Sequence, residues 1–159
     1  MIPTFDVLVV GAGHAGYEAA LASARLGAKT ALLTMDKHAI GRMSCNPSIG
    51  GMAKSHIVCE LDALGGEIGR NSDFTGIQYR TLNLRKGPAV QATRVQNDKD
   101  SFPLRMQAVI NNQENLTVLE CTVGQIWTEN GRLKGIITEK NDEIRGICVV
   151  IASGTFLGG

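Results

Sequence analysis

Three glycines, Gly11, Gly13 and Gly16, follow directly on the apolar run Val7–Val10 and open a segment rich in alanine and leucine, Ala15 to Leu26. That spacing does its chemistry with main chain. The first glycine makes a tight turn, the second lets backbone approach a pyrophosphate, and the third lets helix and strand pack closely. The helix N-terminus then presents free amides and partial positive charge to the phosphates. On this reading Gly11, Ala12, Gly13, His14, Ala15 and Gly16 form a phosphate-binding turn, with His14 contributing a backbone amide rather than a titrating ring. Three glycines also serve an empty turn, but the order of strand, glycines and helix favours a nucleotide. A ribose-binding acid is expected about twenty residues further on, at the end of the second strand. Thr34 stands there instead, with Asp36 two residues beyond. The threonine hydroxyl can bond a ribose, and Asp36 reads as a solvated loop charge. No arginine occupies that strand end, so a preference for a 2′-phosphate has no support.

The second candidate is a side chain. Cys45 lies in the loop Arg42-Met43-Ser44-Cys45-Asn46-Pro47-Ser48-Ile49-Gly50-Gly51. A thiol in a glycine-rich polar loop is better placed for thiolate chemistry than one in an apolar strand, and loop amides or Lys54 can stabilise its charge. The competing reading is a small buried loop residue. Cys59, Cys121 and Cys148 fall on a helix, beside a strand and within a strand, and read as core or surface filler. None of the four shows Cys-x-x-Cys spacing, which argues against zinc and against a disulfide scaffold. His38 and His56 have no partner at ligand spacing. Lys54, Arg80, Arg85, Lys86 and Arg94 gather in the middle third, either as a solvated face or as a surface for a phosphate chain.

These residues need elements to hold them. Phe5 to Val10 reads as a strand buried on both faces, Ala15 to Leu26 as a helix stopped by Gly27, and Lys29 to Thr34 as the next strand. Met35 to Gly51 reads as loop, and Met52 to Leu64 as a helix with Ile57, Leu61 and Leu64 on one face. Ile77 to Leu84 reads as extended. Val90 to Ile110 has helical composition, which Pro103 should break near Ser101 into two elements. Then come four short strands, Leu116 to Glu120, Val123 to Thr128, Leu133 to Glu139 and Gly146 to Ala152, with Asn130-Gly131 centring a hairpin turn. The expectation is one α/β domain over residues 1–159, a Rossmann-like FAD/NAD(P)-binding fold with a parallel sheet and an inserted β-meander.

Composition bounds the rest. The chain is 43% apolar and 19% charged, ordinary for a globular domain, and its nineteen glycines, about 12% of the 159 residues, exceed the usual ~7%. No apolar run approaches the ~18 residues of a membrane helix, and the start MIPTFD lacks the features of a signal peptide, so the chain reads as cytoplasmic with no membrane span and free thiols. A net charge of +1 neither demands nor excludes nucleic acid. The stop just after an apolar strand reads as the N-terminal part of a longer enzyme.

The loop Arg42 to Gly51, with Asp62-Ala63-Leu64-Gly65-Gly66 and Lys86-Gly87-Pro88-Ala89-Val90, resembles the GidA/MnmG family. The resemblance runs from Phe5-Asp6-Val7 to Gly154-Thr155-Phe156-Leu157. It implies a flavoprotein that installs a carboxymethylaminomethyl or aminomethyl group at C5 of the tRNA wobble uridine, with FAD as cofactor and NADH and methylenetetrahydrofolate as co-substrates. It further implies tRNA as substrate, a homodimer, a GTPase partner, a catalytic Cys45, and Thr34, Ser44, Val123 and Gly154 beside the glycine turn as cofactor-binding residues. The strand Ile147 to Ala152 with its Ser153-Gly154 turn is similar to the return strand of two-domain flavoproteins. The rivals are a folate-dependent tRNA 5-methyluridine methyltransferase, a general FAD-dependent oxidoreductase, and a non-catalytic FAD-binding fragment. Ser44-Cys45-Asn46-Pro47 with Lys86-Gly87-Pro88 argues against the first two.

Overall fold

A computed structural model describes residues 2–44 and 46–154. The elements in chain order are β1 (Thr4–Val10), α1 (His14–Arg25), β2 (Thr30–Thr34), β3 (Ser48–Gly50), α2 (Lys54–Ala63), α3 (Ile68–Thr75), β4 (Gly76–Leu82), β5 (Ala92–Asn97), α4 (Ser101–Asn111), β6 (Leu116–Glu120), β7 (Val123–Glu129), β8 (Arg132–Thr138) and β9 (Glu143–Ile151). They form two compact units, Met1–Ile40 with Gln107–Gly159, and Gly41–Met106.

The first unit is a six-stranded sheet ordered β6-β2-β1-β9-β8-β7. Its β6, β2, β1 and β9 run parallel, while β7, β8 and the start of β9 form an antiparallel meander. Leu116 to Glu120 therefore belongs to the parallel part, and the meander begins only at Val123. Ile136 and Ile144 of the meander join Phe5, Leu8, Ala31 and Leu33 in a single buried cluster. Helix α1 packs on β1 and β2 and buries Tyr17, Ala20, Leu21 and Ala24. Val9 and Leu32 alternate with Leu8 and Leu33, so they face the helix, and both are fully buried. Each such side chain taken out of water contributes roughly 1.5–3 kcal/mol. Asn130 and Gly131 take positive φ, +50° and +73°, the primed hairpin turn expected from Asn-Gly.

The second unit departs further from the expectations. Its three-stranded antiparallel sheet, ordered β3-β5-β4, draws β3 from the segment read as loop and β5 from the segment read as helix. Pro103 is the third residue of α4, where a missing amide hydrogen costs no intrahelical bond. It therefore sits in the first turn of α4, and the boundary expected near Ser101 is present, with a strand rather than a helix before it. Helix α3 has no counterpart among the elements expected from sequence. In α2 the buried side is Ser55, with Val58 and Leu61 packed against the core of Met43, Ile49, Ile68 and Phe102. Ile57 and Leu64, expected on the inner face, are 64% and 88% exposed.

Candidate functional site

In the first unit β1 lies between β2 and β9. The chain leaves β1 through α1 to one side and returns on the other as β9, and the ends of parallel strands at such a reversal form a crevice. The Gly11–Gly16 turn occupies it. Gly11 has φ +99°, and its amide donates to the Leu33 carbonyl at 2.8 Å. A Cβ there would overlap the carbonyl oxygen of Ala152, and one at Gly16 would overlap the carbonyl oxygen of Gly11. Around a Cβ at Gly13 nothing lies within 4 Å, and Gly13 is exposed. Two of the three glycines are thus consumed by the packing of the turn, while the third faces open space of the kind a pyrophosphate requires.

Gly13 is the N-cap of α1, with no side-chain cap and no acid in the first turn. The first intrahelical bond runs from the Tyr17 amide to the Gly13 carbonyl at 3.0 Å. The amides of Ala15 and Gly16 precede it and point along the axis toward an incoming anion. The His14 ring turns back onto its own helix, with 2.8 Å between Nδ1 and the buried Tyr17 hydroxyl and the rings edge to face at 5.6 Å. That leaves its backbone as the part available at the turn. At the end of β9 the Ala152 amide donates to the Val10 carbonyl at 2.8 Å, which brings Ser153 up beside Gly11, with Gly154 next along the chain.

At the end of β2 the Thr34 hydroxyl donates to the Asp36 carbonyl at 3.1 Å and accepts from the Asp36 amide at 3.3 Å. The Asp36 carboxylate accepts from the His38 amide at 2.8 Å and caps the short 3-10 turn Lys37–Ala39. Both are engaged locally. Glu120, in register with Thr34 on β6, accepts from the Lys37 amide at 3.3 Å. It is a strand-end acid beside the expected ribose position that the sequence reading counted only as strand, and its signal was the acid closing the run Leu116 to Leu119. Val123 opens β7 and packs against the core cluster, leaving its main chain as the part available to a ligand.

In the second unit the thiol loop is pinned on both sides. Met43 is buried in the core, the Asn97 amide donates to the Pro47 carbonyl at 2.7 Å, and the Ser48 amide donates to the Asn46 carbonyl at 2.6 Å. Ser44 and Asn46 are exposed. Cys45 lies outside the described residues. Lys54 reaches the Ser48 carbonyl at 3.4 Å. Cys59, Cys121 and Cys148 are free thiols. Burial, with a contribution from the Asp142 charge, pushes the Cys121 thiol up, so it stays protonated at neutral pH.

A parallel sheet with a glycine turn and an open helix N-terminus at its reversal point defines a Rossmann-like nucleotide-binding fold of the FAD/NAD(P) class. The sequence model described as glucose inhibited division protein A matches residues 6–159, and the chain belongs to that GidA family. The tRNA uridine 5-carboxymethylaminomethyl modification enzyme MnmG of Geobacter sulfurreducens is 54% identical over 155 residues, which cover 98% of this chain and 25% of the relative. The chain therefore spans about a quarter of that relative's length. Aquifex aeolicus GidA in its form II crystal superposes with a TM-score of 0.92 at 50% identity, covering 96% of this chain and 25% of that one. A GidA-related protein from Thermus thermophilus, with a TM-score of 0.66 at 22% identity over 96% of this chain and 54% of that one, shares the fold.

Proposed function

We propose that this chain is the FAD-binding part of an enzyme that adds a carboxymethylaminomethyl, or aminomethyl, group to C5 of the tRNA wobble uridine. The observation that carries the reading is the division of labour in the glycine turn, where Gly11 and Gly16 are packed against main chain and Gly13 is open. Membership of the GidA family supplies the reaction class. Gly13, Ala15 and Gly16 would hold the pyrophosphate through main chain, and Thr34, Ser44, Val123 and Gly154 are assigned to the remainder of the cofactor. FAD supplies redox chemistry to the reaction, with NADH as reductant and methylenetetrahydrofolate as one-carbon donor.

Cys45 is assigned the nucleophilic role. Its thiolate sulfur bonds to C6 of the uracil ring, the C5–C6 π pair moves toward C5, and C5 becomes nucleophilic toward the one-carbon unit. The methylene carbon bonds to C5 as one of its two bonds to folate nitrogen breaks, the C5 proton passes to solvent water and the thiolate leaves C6 to restore the ring, and the amine then displaces the remaining folate nitrogen. The exposed Ser44 and Asn46 on either side give a nucleic acid base access to the loop. In the full-length protein we assign a homodimer, a GTPase partner and a cytoplasmic location. Among the described residues no helix is long and apolar enough to cross a membrane. The test is Cys45→Ser in the full-length enzyme. Flavin content is expected to be unchanged and the modified uridine absent from digested tRNA by mass spectrometry. Wild-type levels of modified uridine would remove Cys45 from the mechanism.

A further inference from the structure

The small sheet of the second unit carries two helices on one face. Helices α2 and α3 pack on β5, and the pocket they form with the sheet is lined by Ile49, Thr93 and Val95. Strand alternation sends the neighbouring residues to the opposite face. There the register sets Arg80 of β4 directly opposite Arg94 of β5, and Gln78 directly opposite Gln96. Arg80 and Gln78 are exposed, Arg94 and Gln96 half-buried. Like charges directly opposite each other destabilise a sheet, and a fold normally relieves such a pair with a carboxylate. Neither guanidinium has an acidic partner among the described residues. The β4–β5 connection adds exposed Arg85 and Lys86 and is itself held in shape, with Asn83 Nδ2 donating to the Val90 carbonyl at 2.9 Å and Gln91 Nε2 to the Lys86 carbonyl at 3.1 Å.

We propose that this face binds the phosphodiester backbone of the tRNA, an inference that rests on the tRNA reading above. Charge complementarity selects the occupant. Two adjacent guanidiniums present planar donor forks suited to phosphate oxygens, and the flanking amides of Gln78 and Gln96 add neutral donors that suit ribose and phosphate. A polyanion would relieve the repulsion between the two arginines, so the pair is held at a cost to the free protein that binding returns.

The test is tRNA binding to the full-length protein by fluorescence anisotropy across a potassium chloride series. The Arg80→Gln/Arg94→Gln double variant is expected to bind more weakly and to lose about one unit of salt slope per arginine. Its flavin-to-protein ratio should equal wild type, and its thermal midpoint should be equal or higher because the repulsion is gone. Arg80→Lys/Arg94→Lys should keep most of the slope. An unchanged slope in the Gln variant would overturn the proposal while leaving the tRNA reading standing, whereas failure of the wild-type protein to bind tRNA would overturn both. Loss of flavin with tRNA affinity retained would assign the face to the cofactor instead. An equal loss of slope in Arg132→Gln/Lys140→Gln, two exposed cations at the turns of the meander, would reduce the effect to net charge and overturn the proposal.

Discussion

A methyl group added at Gly16 would meet a backbone carbonyl oxygen, whereas on the outer strand of the second unit Gln78 and Arg80 extend into solvent. The two units thus carry their candidate chemistry differently. In the first, the groups aimed at a ligand are main-chain amides and glycine faces, and the residues that shape the turn are the residues that let the fold close. In the second, the candidate groups on the sheet are the side chains of Arg80 and Arg94, neither of which belongs to the buried core of the unit. Gly11 and Gly16 cannot be changed without disturbing the fold, while Gly13 and the exposed side chains of the second unit can be changed and leave the fold behind.

Gly16→Ala tests the first half most severely. The overlap is with backbone rather than with a flexible side chain, so the cost should exceed the roughly 1–3 kcal/mol of ordinary overpacking. The full-length variant is expected in the insoluble fraction or with a strongly lowered thermal midpoint. Wild-type stability would show that the turn relaxes more easily than its geometry allows.

Arg105→Gln probes the scaffold of the second unit without touching its candidate site. Arg105 donates to Glu67 at 2.9 Å and to Asn71 Oδ1 at 3.0 Å, and the Glu67 side chain is only 5% exposed. Removing the guanidinium from that buried carboxylate should cost roughly 1–3 kcal/mol, read from denaturant midpoints. Adding Glu67→Gln should recover part of the loss. If the single variant is as stable as wild type, the scaffold does not depend on this pair.

The smallest effect is expected at Asp98, whose carboxylate accepts from the Ser101 amide at 2.7 Å and the Asp100 amide at 3.2 Å at the start of α4. Its bonds to Ser101 hold its pKa below the usual carboxylate range. Because the folded value is the lower one, the stabilisation is complete above the ordinary carboxylate range and is lost as pH falls through the lowered folded value. Asp98→Asn should therefore flatten the acid limb of the thermal midpoint against pH by a small amount. An acid limb identical to wild type would remove the cap from the account.

The same contrast explains what could be read from sequence. The strand β1, the glycine turn, α1 and β2 were legible because apolar runs, glycine spacing and a left-handed Gly27 at φ +89° are local requirements that leave local marks. Helix α3 was not, because Ile68–Thr75 contains glycine, asparagine, serine, aspartate and threonine, all weak helix formers. Tertiary contacts hold it, among them Asn71 Nδ2 donating to the Phe102 carbonyl at 2.9 Å. Strand β5 was hidden for the same reason, since Ala92–Asn97 has no helical or strand period of its own and becomes a strand by lying between β3 and β4. In α2 the core of Met43, Ile49, Ile68 and Phe102 takes Leu61, as expected, together with Val58, and leaves Ile57 and Leu64 in solvent. In the candidate site, the basic residues could be gathered by sequence, but the facing of Arg80 and Arg94 is a matter of strand register, which composition does not encode.

The central claim is that Gly13 is the glycine reserved for the cofactor, and Gly13→Val in the full-length protein tests it most directly through the flavin-to-protein absorbance ratio. With nothing within 4 Å of a Cβ at that position, the variant should fold with a wild-type far-ultraviolet spectrum, while the branched side chain fills the approach to the helix N-terminus and the bound flavin falls to near zero. A folded Gly13→Val protein carrying wild-type flavin would contradict the account.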